Sequence, residues 1–153
     1  MGGNLDVTLA EGHLRILAPV TVQSSATVNV GHTDWQEFDG PTTVQGGTFT
    51  LGQSGQLQFD GPTTLSGGTL NTFANNFTDG TVAFNGATTW NGTVTINGSA
   101  RQQGDATVSG LGATINADRF DMDGLSGNTT WNINSSLVVN AGMTGTIGPN
   151  LDD

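Results

Sequence analysis

Cysteine, tyrosine and lysine do not occur in this chain, and glutamate occurs only at Glu11 and Glu37. Without cysteine there is no disulfide, no thiolate metal site and no cysteine nucleophile. Without lysine, and with so little glutamate, a helical bundle lacks its usual building material. The cations are Arg15, Arg101 and Arg119 alone, set against 13 acidic residues for a formal charge of −10. That balance offers no basic patch, so nucleic acid and anionic membrane surfaces are not expected partners. No apolar run approaches the roughly 18 residues that a spanning helix needs, so no membrane insertion by this segment is expected. Met1-Gly2-Gly3 opens without a charged-then-apolar signal pattern, which reads as a piece of a longer chain.

What is present is just as uneven. The 153 residues include 24 Gly, 24 Thr and 14 Asn, and only 10% are charged. Hydrophobic residues make up 34% and fall in short alternating pairs, a pattern of half-buried strands rather than of disorder. The decisive signal is repetition. Phe38-Asp39-Gly40-Pro41-Thr42-Thr43-Val44-Gln45-Gly46-Gly47-Thr48-Phe49 returns 21 residues later, from Phe59-Asp60-Gly61-Pro62 to Gly67-Gly68-Thr69-Leu70. Further copies open at Phe84-Asn85-Gly86, at Gln102-Gln103-Gly104 and at Met122-Asp123-Gly124. A unit of this length is too short to fold alone and matches one turn of a solenoid. The expected fold is all-β, a single-domain parallel β-solenoid of about seven rungs of about 21 residues. The hand preferred by parallel crossovers makes it a right-handed β-helix.

The regular rungs span 38–142. Residues 1–37 read as degenerate N-terminal rungs or a cap, and 143–153 as a C-terminal cap or linker. Leu9 to Ala18 has a helix-like composition and suggests a capping turn. Alternation predicts three interior columns: Val44, Leu65, Trp90, Val108 and Trp131; Phe49, Leu70, Val94 and Ile115; and Phe38, Phe59, Phe84 and Met122. Insertions at Phe73 to Asp79 and near Leu125 to Asn128 read as loops on the wall.

With its Gly-Thr-Φ-Thr-Φ and Φ-Asp/Asn-Gly units, where Φ is an apolar residue, the chain resembles bacterial cell-surface parallel β-helix repeats of the autotransporter passenger and filamentous-haemagglutinin type. The resemblance covers about residues 38 to 140. It implies an extracellular or cell-surface, bacterial-type setting and a stalk or adhesive role, and it carries no catalytic residue across.

Several residue sets bear on chemistry. Asp39, Asp60, Asn85 and Asp123 recur after the column aromatic as a structural corner ladder, read as Asx-turns in which each side chain accepts a bond from its own corner backbone. Asp118, Asp121 and Asp123-Gly124 form the densest acidic cluster and the candidate calcium ligands. An EF-hand register would place Arg119 at the first ligand position and Thr130 at the last, which breaks that pattern. The same three acids are the only local set resembling the paired carboxylates of polysaccharide-cleaving enzymes, so they carry the enzymatic alternative. His13 and His32 stand isolated. Trp35 lies outside the clean repeat and is the candidate exposed binding aromatic, whereas Trp90 and Trp131 read as interior. Outward Thr pairs such as Thr48/Thr50 and Thr93/Thr95 raise a third reading, ice binding, although the ladder breaks at Asn71, Ala83 and Asn116.

The sequence thus points to a non-enzymatic structural or adhesive segment of a larger secreted or surface protein, without a cofactor unless calcium. Self-association into a homo-oligomer, contact with flanking domains of the same chain, and glycans are the partners it suggests. A carbohydrate-binding or polysaccharide-cleaving β-helix is the alternative.

Overall fold

The computed structural model describes residues 4–7, 13–30, 35–51, 56–72, 81–121 and 129–141. Every described strand pairing is parallel, and successive copies of the repeat lie side by side. Among the described residues fourteen strands, numbered in chain order, form one sheet that coils around three faces.

The first face stacks β2 (His13–Ile16), β5 (Trp35–Phe38), β7 (Gln56–Phe59) and β9 (Thr81–Phe84), followed by the ends of two longer strands, β10 (Thr88–Gln102) and β12 (Ala113–Asp121). The second face stacks β3 (Val20–Val22), the starts of β6 (Thr42–Leu51), β8 (Thr63–Asn71) and β10, then β11 (Ala106–Val108) and β13 (Trp131–Ile133). The third face stacks β1 (Asn4–Val7), β4 (Thr27–Val30), the later parts of β6, β8 and β10, the start of β12, and β14 (Leu137–Ala141). The result is a parallel β-solenoid of about 5 turns, slightly fewer than the repeat length implied.

Period-two alternation drives this arrangement, because each strand turns alternate side chains inward. The interior is a continuous apolar stack. Phe38, Phe59 and Phe84 lie on one another with centroids 5.4 and 5.3 Å apart, the latter pair nearly parallel at 8°. Phe49 meets Phe38 and Phe59 edge-on at 5.8 and 5.9 Å. Each such ring, fully buried, contributes roughly 1.5–3 kcal/mol by removal from water. Where β6 and β8 turn from the second face to the third, Gly46-Gly47 and Gly67-Gly68 take up the bend. Gly47 does so at φ 81°, a conformation that a side chain would strain.

Three details differ from the expected columns. Ile96, not Val94, stands over Leu70, while Val94 pairs with Gly68, because an extra residue is accommodated between Trp90 and Thr93. Ile133, not Trp131, continues the Val22, Val44, Leu65, Trp90, Val108 column, and Trp131 stands over Ala106. The Phe column begins at Ile16 and meets Gln102 after Phe84. Within the helix-like stretch, His13–Ile16 is a strand paired with β5, since its alternating Leu14 and Ile16 satisfy the first face. Met122, both insertion segments and residues 143–153 lie outside the described residues.

The outer surface is built from short polar ladders. Thr21, Thr43, Thr64, Thr89 and Thr107 align down the second face and end on Asn132. Thr27, Thr48, Thr69, Thr95, Asn116 and Asn140 form one column of the third face, and Asn29, Thr50, Asn71 and Asn97 form the next. The Thr runs end at Asn71 and at Asn116, as expected, and continue as the amides Asn97 and Asn140, whereas Ala83 belongs to the first face. Cross-rung amide bonds tie these columns: Asn97 Nδ2 donates to Asn71 Oδ1 at 2.7 Å, and Asn140 Nδ2 to Asn116 Oδ1 at 2.9 Å.

Candidate functional site

The Asp-Gly-Pro-Thr corner explains its own sequence. The amides of Asp39 and Gly40 both donate to the Ile16 carbonyl of the preceding rung, at 2.9 and 3.2 Å. Asp60 and Gly61 do the same to Phe38, and Asn85 and Gly86 to Phe59. The threonine two residues past the glycine then closes the corner, as when Thr63 Oγ1 donates to Gly61 O at 3.1 Å. Asx-turns, the expected role of the corner ladder, need an amide two residues on. Pro41 and Pro62 have none. The side chains of Asp39, Asp60 and Asn85 are instead used between rungs. Asn85 Nδ2 donates to Asp60 Oδ1 at 2.6 Å and to Gln58 Oε1 at 3.2 Å. Asp123 lies outside the described residues.

The stacking brings together a charged group that sequence reading did not assemble. Glu37 lies in β5 and Asp39 just past its end at the corner, and Asp60 sits one rung further on. One carboxylate oxygen from each falls within 4.8 Å of the other two. Arg15 crosses this group. Its Nε donates to Asp39 Oδ2 at 2.6 Å and stands 3.5 Å from Glu37 Oε2, while His13 Nε2 lies 3.4 Å from Glu37 Oε1. The hydrogen bond and charge of Asp39, followed by the charges of Glu37 and Asp60, push the Arg15 guanidinium above its ordinary value, and it stays cationic at any working pH. No repeat signature marks this contact, which follows from the pairing of Ile16 with Phe38 across 22 residues that places Arg15 beside Glu37.

Three carboxylates this close offer oxygen ligands of the kind a hard divalent cation takes. Arg15 already supplies their counter-charge from an exposed position, so the group is a salt-bridged surface cluster. Arg15→Gln is therefore expected to lower the melting temperature at low ionic strength and to leave it nearly unchanged at high salt. The cause is that three acids then face one another unscreened. Melting curves across a sodium chloride series check this, and an equal loss at every salt concentration would contradict it.

The other expected site residues are dispersed. Asp121 points outward from the first face, with its carboxylate 3.9 Å from Arg101 Nε, opposite the buried Phe120. Asp118 is exposed at the bend between the third and first faces. Trp35 opens β5, paired with His13 and Gln56, and its side chain lies outside the described set. Trp90 is wholly interior, and Trp131 is half-buried against the core, 6.3 Å from Phe120. Among the described residues no helix is long and apolar enough to cross a membrane. A scan of protein-family models and searches of curated proteins and solved structures found no match to this chain.

Proposed function

We propose that this chain is a non-enzymatic structural and adhesive segment of a larger secreted or cell-surface protein. One observation carries the reading: an uninterrupted apolar stack, from Phe38 through Phe59 and Phe84 to Trp90 and Phe120, runs along a wall of ladder-paired Thr and Asn. Such a coil is stiff along its axis, because every rung is hydrogen-bonded to its neighbours. Its surface repeats the same short polar groups rung after rung, which suits many weak contacts with an extended partner better than one deep pocket. The acidic groups support this reading too, since Asp39 and Glu37 are engaged by Arg15, and Asp121 by Arg101.

A panel of polysaccharides, assayed for both retention and cleavage, tests the proposal with the unaltered chain beside Asp118→Asn and Asp121→Asn. Retention without turnover, indifferent to both substitutions, is expected. Turnover of any polysaccharide that either substitution abolishes would make the chain an enzyme and overturn the proposal.

A further inference from the structure

Charge is not spread evenly around the coil. All three arginines lie on the first face, Arg15 in β2, Arg101 at the end of β10 and Arg119 at the end of β12. Glu37 and Asp121 lie there too, and Asp39 and Asp60 stand at its corner. The strands of the third face present no charged side chain among those described. Asp6, whose side chain lies outside that set, enters by register only at the edge, opposite Asn29. The exterior of the third face is mostly hydroxyls and amides, with the exposed Val138 at one end and Asp118 at the bend beside it, so the described charge gathers on and around the first face.

We infer that the third face is a contact surface for an uncharged, extended polysaccharide, the same few hydroxyl contacts being met again at every second rung. This rests on the adhesive reading above and names its ligand class. The two polar columns form a grid with about 4.8 Å between rungs and about 6.6 Å between columns. In a β-1,4-linked hexose chain successive units are flipped, so like hydroxyls recur at every second unit, close to every second rung of a coil whose side chains repeat at about 4.8 Å. Threonine and asparagine each offer both a donor and an acceptor, which matches hydroxyls that need both. The grid is also ordered before contact. Thr is stiff at χ1 as a β-branched residue, and Asn71 and Asn97 are fixed by the bond between them. Little side-chain freedom remains to be lost on binding. A polyanion gains nothing from such a face and is repelled by the overall charge.

Depletion of the unaltered chain from solution by insoluble cellulose or chitin tests the inference, with alginate as the charged comparison. Retention on an uncharged polymer, insensitive to sodium chloride, is expected. Asn97→Lys, at an exposed position, and Thr69→Lys place a solvated charge mid-grid and should each cut retention about tenfold, equivalent to about 1.4 kcal/mol. Ala83→Lys puts the same charge on the first face and should leave retention unchanged. Melting curves confirm that each variant is folded, and Asn97→Lys suffices if Thr69→Lys is not. Equal loss with Ala83→Lys would overturn the inference, as would retention on alginate alone, which leaves the adhesive reading standing. Thermal hysteresis without retention on any polysaccharide would overturn it in favour of an ice lattice.

Discussion

Gly61→Ala should be among the most damaging single changes in this chain, lowering stability by about 3 kcal/mol. At this size that corresponds to a fall of roughly 10 °C in melting temperature. The reason is space, not backbone conformation, since Gly61 is not among the positive-φ glycines. A Cβ built there would lie 2.5 Å from the Gly40 carbonyl oxygen and closer still to that of Asp39, both in the preceding rung. Those are backbone atoms, which cannot swing aside as a flexible side chain would. The layers would have to part, breaking the bonds by which Asp60 and Gly61 donate to Phe38 O at 3.0 Å. Gly86, whose added Cβ would lie 2.5 Å from Asp60 O, is held by the same constraint one rung on. Gln58→Ala on the outer wall of the same rung gives up only the bond it accepts from Asn85 and should cost about 1 kcal/mol at most. Thermal or urea unfolding of the two variants side by side is the measurement. A Gly61→Ala melt no lower than that of Gln58→Ala would show that the rungs separate easily.

The same corner shows how far the sequence could be read. The repeated Φ-Asp-Gly-Pro-Thr-Thr defines parallel stacking and the placement of Phe38, Phe59 and Phe84, because these follow from a shift of 21 residues and alternation. Errors arose where a slip of two residues leaves the inward face unchanged. Val94 and Ile96 are both buried, and Trp131 and Ile133 share a facing, so alternation alone cannot choose between them. For Val94 and Ile96 the choice was made by the extra residue between Trp90 and Thr93, which has no composition signature, and for Trp131 and Ile133 by the pairing of β11 with β13. The charged cluster was hidden for a different reason. Its key residue, Arg15, lies in a rung whose repeat has decayed to Leu14 and Ile16, so neither the aromatic nor the Asp-Gly signature marks its register.

Gln102 is the one polar member described in the Phe column, and it defines the second large effect. Its side chain is fully buried, and it accepts the indole N–H of Trp90 at 3.2 Å. Its own amide donates to Thr88 Oγ1 at 3.1 Å and to Gly104 O at 2.9 Å. A phenylalanine here would extend the aromatic stack, but Trp90 already fills that space. Its ring lies 5.1 Å from Phe84 and 5.8 Å from Phe120, both edge-on. Trp90→Ala removes the largest fully buried side chain and should cost about 4 kcal/mol from lost burial and the cavity left behind. Gln102→Leu keeps the volume but strands the indole donor in an apolar interior, for about 2 kcal/mol. If that stranded donor is the cause, removing it restores part of the loss. The double variant Gln102→Leu with Trp90→Phe should be more stable than the sum of its singles predicts, by about 1 kcal/mol. Strict additivity in a double-mutant cycle of urea midpoints would mean that Gln102 acts by shape alone.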